Sequence, residues 1–126
     1  MTEYLEVATA TETREAAVEL AESAVAARLA GSAQVLGPVA SVFWHLGEQG
    51  AGEEWRLLLY TTASRYEALE AHLLERHPWR NPQLSATPIV RGSAAYLEWL
   101  DRTVSDASPS RDDEAGLPVE SANPQR

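Results

Sequence analysis

One stretch of the sequence decides the order of the elements: His77-Pro78-Trp79-Arg80-Asn81-Pro82-Gln83-Leu84, followed by Pro88-Ile89-Val90-Arg91-Gly92-Ser93. His-Pro is typical of a helix end, because a proline disfavours helical geometry in the residue before it. The apolar run before Gly92 predicts a short strand over residues 84–90, and Pro88 places that strand at a sheet edge or beside a bulge. Ser93 predicts the N-cap of a last amphipathic helix that runs to about Val104.

The chain before this stretch predicts three strands and two helices. We expect a strand over residues 4–10 and a helix over about 14–30, for which Thr11 and Thr13 both offer caps and which Gly31 ends. A second strand over 33–44 has a bulge or kink at Gly37-Pro38. The glycine-rich segment 47–52 predicts a turn, so that this strand and the next, 54–62, form a hairpin. Ser64 and Glu67 stand three residues apart and predict a capping box, which opens a helix that ends at His77.

This order, β-α-β-β-α-β followed by a helix, predicts the α+β class: a ferredoxin-like antiparallel sandwich with an added C-terminal helix. Two helices cover one face of such a sheet, and we expect a second subunit to cover the other, because large apolar faces are rarely left exposed. We assign residues 1–104 to this domain. Residues 105–126, rich in Ser, Pro, Asp and Glu, are predicted to be a disordered acidic and polar tail.

Composition excludes several functional classes. The chain has 126 residues and a formal net charge of −9, so nucleic acids and anionic membranes are poor partners for it. It contains no cysteine, which excludes disulfides, thiolate metal sites and cysteine nucleophiles, and no lysine, the usual residue of Schiff-base chemistry. No segment is long and apolar enough to span a bilayer, and no signal segment is evident, so we expect a cytoplasmic protein.

Several short motifs together resemble the CutA family of divalent-cation-tolerance proteins. They are Arg28-Leu29-Ala30, Gly37-Pro38-Val39-Ala40-Ser41-Val42-Phe43, Leu57-Leu58-Leu59 with Thr61-Thr62, and the stretch His77–Leu100. The resemblance covers about residues 4–104 and implies a ferredoxin-like subunit in a tight homotrimer, associated with tolerance of copper and other divalent ions. The fold is also similar to that of PII-type signalling proteins, which bind small ligands at subunit clefts. The chain departs from the family pattern at four positions of interest, Ser32, His45, Tyr60 and Arg80, where the family often has Cys, Trp, Lys and Glu.

Histidines are the strongest metal ligands that remain in a chain without cysteine. His77 belongs to a motif that carries the resemblance and is our first candidate ligand for copper(II) or another divalent metal. His45 lies near the hairpin end, where a neighbouring subunit of the implied trimer would bring it close to His77. The alternative for His77 is a structural one, in which its ring caps carbonyls at the helix C-terminus. His72 does not share a helical face with His77, and we predict that it is a surface or packing residue.

A second candidate site is a cleft for a small anionic ligand, formed by Tyr60, Trp79, Arg80 and Arg91. A guanidinium fork beside an aromatic ring suits a carboxylate or a phosphate, and Tyr60 and Arg91 both end strands. The alternative is that Trp79 packs in a subunit interface and Arg80 pairs with an acid, since both residue types are enriched at interfaces.

The sequence therefore predicts a binding protein and not an enzyme: a homotrimer that acts in divalent-metal tolerance or sensing. The alternative is a PII-like regulator that binds a small anionic ligand at the subunit cleft. A third hypothesis is a small ferredoxin-like enzyme with His45 or His77 as its base. It has little support, because the chain has no Ser-His-Asp motif, no His-Glu-x-x-His and no glycine-rich phosphate loop.

Overall fold

A computed structural model describes residues 2–105 of the chain. The elements follow in the order β1 Tyr4–Thr11, α1 Arg14–Ala26, β2 Ser32–His45, β3 Glu48–Thr62, α2 Ala63–Arg76, β4 Leu84–Ile89 and α3 Ala94–Val104. The four strands form one antiparallel sheet in the order β2-β3-β1-β4. This arrangement confirms the predicted ferredoxin-like α+β fold. Apart from Ser105, the predicted tail lies outside the described residues.

The main core lies between one face of the sheet and the helices α1 and α2. Side chains alternate between the two faces of a strand, and Val7, Leu57 and Leu59 all point to the helix side, where they are fully buried. The helices pack on them mainly with leucines and alanines: Leu20, Ala24, Leu69 and Leu73. We call this helix-covered part, together with β1 and residues 55–62 of β3, the body. Among residues 2–105, no helix is long and apolar enough to cross a membrane.

The last helix, α3, lies on the second face of the sheet. The Arg28 guanidinium donates a 3.1 Å hydrogen bond to the carbonyl oxygen of Thr103. The Leu100 side chain approaches Gly31 so closely that a β-carbon there would lie 2.6 Å from it. Leu100 and Val104 are fully buried. The expectation that the chain's own helices leave this face bare was therefore wrong at the end of the sheet that α3 covers.

Helix α1 begins as predicted and ends earlier than predicted. The backbone N–H of Ala16 donates to the Thr13 hydroxyl at 3.1 Å, so Thr13, and not Thr11, is the N-cap of the two predicted candidates. The helix stops at Ala26, because Arg28 adopts a left-handed conformation with φ of 58°. The N–H groups of Leu29 and Arg28 then bond the carbonyls of Ala24 and Val25, the hydrogen-bond pattern of a Schellman motif. The prediction that Gly31 ends this helix was wrong.

The start of α2 also differs from the prediction. The helix begins at Ala63, so Thr62 and not Ser64 occupies the N-cap position, and no side chain makes the capping hydrogen bond there. The Ser64 hydroxyl instead lies 3.0 Å from the Thr62 hydroxyl. The capping box of Ser64 and Glu67 is therefore not formed. The predicted end is confirmed, since His77 is the C-cap.

Strands β2 and β3 form a hairpin that is longer than predicted. The turn consists of Leu46 and Gly47, with φ values of 52° and 81°, and the segment 48–52, predicted as part of the turn, is strand. β1 pairs with β3 only from Trp55 onward, so within the described part of the chain residues 39–54 form a two-stranded ribbon, which we call the projecting hairpin. The predicted irregularity at Gly37-Pro38 is confirmed by a register shift between Leu36 and Val39, and the Gly37-Pro38 peptide bond is cis.

Candidate functional site

His77 ties the end of α2 to the end of β1. Its ring Nε2 lies 2.8 Å from the carbonyl oxygen of Ala10, and the backbone N–H of Trp79 donates to its Nδ1 at 3.0 Å. Because Nδ1 accepts a hydrogen bond, the ring proton must be on Nε2, which donates to Ala10. Burial lowers the pKa of His77, which favours this neutral tautomer. Both ring nitrogens are therefore engaged within the chain.

The loop that follows α2 presents the aromatic and cationic residues of the predicted anion site. The Trp79 ring lies against the His77 ring, with 5.4 Å between the ring centroids, and is half-buried. Arg80 next to it is exposed, and within residues 2–105 its guanidinium has no ion-pair partner. Trp79 is thus held by the body, whereas Arg80 is open to solvent.

His45 lies far from His77 in one chain. It is the last residue of β2, it pairs with Glu48 across the turn, and it is exposed. Ala10, the partner of His77, lies opposite Arg56 on β3. At about 3.3 Å per strand residue, the stretch of β3 from Arg56 to Glu48 separates the two histidines by roughly 25 Å. Nowhere in residues 2–105 do three or more His, Cys, Asp or Glu side chains form a group that could hold a metal.

Tyr60 belongs to a polar cluster on the second face of the sheet. It lies opposite Glu6 of β1, and burial, the Glu6 charge and a hydrogen bond to Glu6 raise the pKa of Tyr60 to about 12. Tyr96 of α3 joins this cluster, and burial together with the Glu6 charge raises its pKa as well. Both phenols therefore stay protonated around one carboxylate. Glu6 and Tyr96 were not predicted from the sequence, because the position of α3 on this face was not foreseen.

The four residues predicted for the anion cleft fall into two pairs in one chain. Arg91 follows β4, whose residue Ile89 pairs with Tyr4, so Arg91 lies at the same end of the sheet as Tyr60. Trp79 and Arg80 lie at the opposite end, where His77 bonds Ala10. Measured along β1 from Ala10 at about 3.3 Å per residue, Tyr60, which pairs with Glu6, is roughly 13 Å away, and the Tyr4–Ile89 pair before Arg91 is roughly 20 Å away. A cleft with all four residues requires more than one subunit.

The structure also brings together a serine and a histidine that the sequence analysis did not pair. Ser23 Oγ of α1 lies 2.6 Å from His72 Nε2 of α2. Burial, with a smaller contribution from the Arg76 charge, lowers the pKa of His72. The two residues face each other across the helix pair, and a groove of about 390 Å³ is lined there by Ala16, Glu19, Leu20, Ser23, Arg76 and Pro78. The contact depends on how the two helices rotate against each other, which neither helix sequence indicates by itself.

The chain is similar in sequence to proteins that are described as CutA or CutA1. Residues 5–103 match the profile of the family described as CutA1 divalent ion tolerance protein. The "Divalent-cation tolerance protein CutA" of Citrobacter koseri is 32% identical over 88 residues, which cover 70% of this chain and 76% of that protein. The "Protein CutA 1, chloroplastic" of Oryza sativa subsp. japonica is 31% identical over 94 residues, or 75% of this chain. The chain spans about half the length of this rice relative, 53%.

Solved structures agree with the sequence relatives. CutA1 from Oryza sativa superimposes with a TM-score of 0.80 at 28% identity, covering 83% of this chain and 96% of that one. The "Divalent cation tolerance protein (Cut A1)" from Thermus thermophilus gives a TM-score of 0.74 at 30% identity, covering 79% and 95%. With the fold and a family match from residue 5 to residue 103, these likenesses show that the chain belongs to the CutA1 divalent ion tolerance family.

Proposed function

We propose that the protein acts in divalent-metal tolerance or sensing as a homotrimer, and that it works by binding the metal and not by catalysis. The observation that carries this proposal is the family match over residues 5–103. A cytoplasmic location belongs to the same proposal. Fractionation of cells that produce the full chain tests the location, and recovery with a periplasmic marker would contradict it.

The projecting hairpin supports self-association. Its exposed side chains include Val42, Phe43, Trp44 and Leu46, and Trp44 is 77% exposed in the single chain. Large contiguous apolar patches are rare on monomers and mark interaction surfaces. The half-buried Leu58 on the second face of the sheet adds to the apolar surface that a neighbouring subunit would cover.

The two candidate metal ligands differ in how easily they can bind a metal. His45 is exposed, and its ring makes no hydrogen bond with another described residue. His77 must give up its bond to Ala10 or to Trp79 before a ring nitrogen can bind a metal, and a buried group that loses its partner costs about 1–3 kcal/mol. We therefore assign the first ligand position for copper(II), or another divalent metal, to His45. His77 of a neighbouring subunit supplies the second nitrogen.

Native mass spectrometry of the protein, purified without chelator and titrated with copper(II), tests assembly and metal binding together. We expect a trimer that takes up metal in a fixed ratio. His45→Ala should remain trimeric and lose the metal, whereas His72→Gln, which also removes one histidine, should bind as the wild type does. A monomer would contradict the assembly. A wild-type trimer that stays bare would contradict the metal-binding role.

A second function rests on the guanidinium of Arg80, which has no ion-pair partner in the described part of the chain. An exposed arginine beside the half-buried Trp79 suits a carboxylate or phosphate ligand, as in a PII-like regulator. Because Tyr60 and Arg91 lie at the other end of the sheet, such a cleft forms between subunits. The protein as purified should then carry an organic anion that Arg80→Ala loses and that Arg14→Ala, at an exposed position on α1, retains. An adduct-free protein that binds no anion in a metabolite screen would exclude this function.

A further inference from the structure

Ser23 lines the groove between α1 and α2, and it contacts His72, a histidine that neither proposed site uses. Ser23 Oγ and His72 Nε2 are 2.6 Å apart, and the groove beside them measures about 390 Å³. This volume lies in the range of small-molecule sites. The groove is formed by the helix layer, so the sheet separates it from the cluster of Tyr60, Glu6 and Tyr96.

We propose that Ser23 is a covalent acylation site, with His72 as its general base and small acyl phosphates as the acyl donors. A serine hydroxyl becomes a nucleophile when a base lies within hydrogen-bond reach, about 2.6–3.2 Å. The Ser23–His72 distance of 2.6 Å meets this condition without any rearrangement of the helices. One acyl group is added per chain. The reaction uses neither His45 nor His77, so it is separate from the metal-binding role.

The surroundings of His72 keep it able to accept a proton. Burial and the positive charge of Arg76 lower the pKa of His72, while Glu75 opposes them with a smaller effect. The imidazole is therefore neutral at neutral pH. In the tautomer with the proton on Nδ1, the Ser23 hydroxyl donates to Nε2.

The lining of the groove indicates the class of donor. Arg76 is about half exposed, and its guanidinium makes two long contacts, each of 3.4 Å, to the His72 carbonyl oxygen and to a Glu75 carboxylate oxygen. Its other N–H groups can therefore receive a phosphate. Leu20 and Pro78 offer apolar surface to a short acyl chain. Glu19 also lines the groove. Its negative charge repels a phosphate, so we expect the phosphate of the donor to bind beside Arg76.

The reaction needs no further reagent. Ser23 Oγ attacks the carbonyl carbon of the donor while the hydroxyl proton passes to His72 Nε2. The bond from Oγ to the acyl carbon forms, the bond from that carbon to the phosphate oxygen breaks, and phosphate leaves with the electron pair. The imidazolium then returns its proton to water. The products are an O-acyl serine and inorganic phosphate.

The composition makes this site easy to detect. The chain contains no lysine and no cysteine, so the side chains that acyl donors usually modify are absent. Other hydroxyls serve as internal controls. Ser64 Oγ contacts the Thr62 hydroxyl and, among residues 2–105, no base, and Ser93 is exposed.

The test is incubation of the full chain with acetyl phosphate, followed by mass spectrometry of its peptides. Because a positioned base contributes about 10²–10⁴-fold, we expect Ser23 to be acetylated about 100-fold faster than Ser64. His72→Gln keeps a hydrogen-bonding side chain but cannot accept the proton, so the Ser23 rate should fall to that of Ser64. Arg76→Gln should slow the reaction with acetyl phosphate and leave the reaction with neutral p-nitrophenyl acetate unchanged.

The melting temperature and circular dichroism of each variant establish that it is folded. A folded wild type in which Ser23 reacts no faster than Ser64 and Ser93 would overturn the proposal. So would a folded His72→Gln variant that reacts at the wild-type rate. An Arg76→Gln variant that slows both donors equally would contradict the assignment of acyl phosphates as donors.

Discussion

The body and the projecting hairpin share the strand β3, yet their side chains have opposite surroundings. Leu57 and Leu59 in the body are fully buried, whereas Val42 in the hairpin is 65% exposed. The difference arises where β1 ends, opposite Trp55, because no third strand in residues 2–105 pairs with the ribbon beyond that point. Two-stranded ribbons are marginally stable alone. We therefore expect the body to be stabilised by its own contacts and the hairpin to gain stability from a partner surface.

The largest loss of unfolding free energy should come from a substitution in the body. Leu59→Ala removes a fully buried side chain, and such changes cost about 2–5 kcal/mol of unfolding free energy; we expect about 3 kcal/mol. Denaturant unfolding at several protein concentrations measures it, and the loss should not depend on concentration. Val42→Ala is the matched change in the hairpin. If Val42→Ala cost as much at every concentration, the contrast between the two regions would be wrong.

The second largest effect is expected from a substitution in the projecting hairpin. It should weaken subunit association and leave the fold of the subunit unchanged. Trp44→Ala removes an exposed aromatic ring from the hairpin, and central aromatic residues of interfaces contribute about 2 kcal/mol or more. We expect sedimentation to show dissociation at protein concentrations at least about tenfold higher than for the wild type. The circular dichroism of the dissociated subunit should remain that of the wild-type body. Unchanged sedimentation would remove Trp44 from the interface.

The difference between the body and the projecting hairpin also explains why the first was predicted better from the sequence than the second. The body follows local rules: Val7, Leu57 and Leu59 obey strand alternation, and Leu69 and Leu73 obey helical spacing. In the hairpin the same rules failed at Gly50, which was placed in a turn because glycines often mark turns. Gly50 in fact lies opposite Phe43, and a β-carbon there would lie 2.7 Å from the Phe43 ring. This glycine makes room for a ring, and only the strand register reveals it.

The sites were less predictable than the fold for a related reason. That His77 ends α2 follows from His-Pro, but its bonds to Ala10 and Trp79 depend on how α2 lies against β1. The end of α1 shows the same limit. Arg28 adopts a left-handed conformation that is uncommon outside glycine, and its guanidinium bonds Thr103. Contacts between elements distant in the sequence leave no periodic signal.

The third prediction concerns acid, which should act on the body. Burial lowers the pKa of His77 and of His72 in the folded protein, whereas in the unfolded chain both titrate near 6.5. The unfolded state therefore binds protons at higher pH than the folded state does. The stability that these residues contribute is fully present above about pH 6.5 and is lost as the pH falls through the lower folded pKa values. The melting temperature should therefore decrease as the pH is lowered from about 7.5 to about 5.

Variants separate the two histidines in this acid effect. His77→Gln does not titrate, so the decrease in melting temperature should become smaller, and the double variant with His72→Gln should show the smallest decrease. A wild type whose melting temperature stays constant over this range would contradict the neutral, hydrogen-bonded state assigned to His77. Equal slopes for all variants would assign the decrease to other groups.

The smallest predicted effect lies at the tip of the hairpin. Leu46 and Gly47 both have positive φ, as a type I′ turn requires, and Asn-Gly is the preferred sequence for such a turn. Leu46→Asn relieves the strain of a leucine in this conformation at a side chain that is 90% exposed, so we expect a gain of about 0.5 kcal/mol in unfolding free energy. Thermal unfolding measures it, with Leu46→Ala as the control that removes the side chain and keeps the strain. If Leu46→Asn and Leu46→Ala both destabilise the protein, a neighbouring subunit covers the tip as well as the sides of the hairpin. The interface would then extend over the whole ribbon.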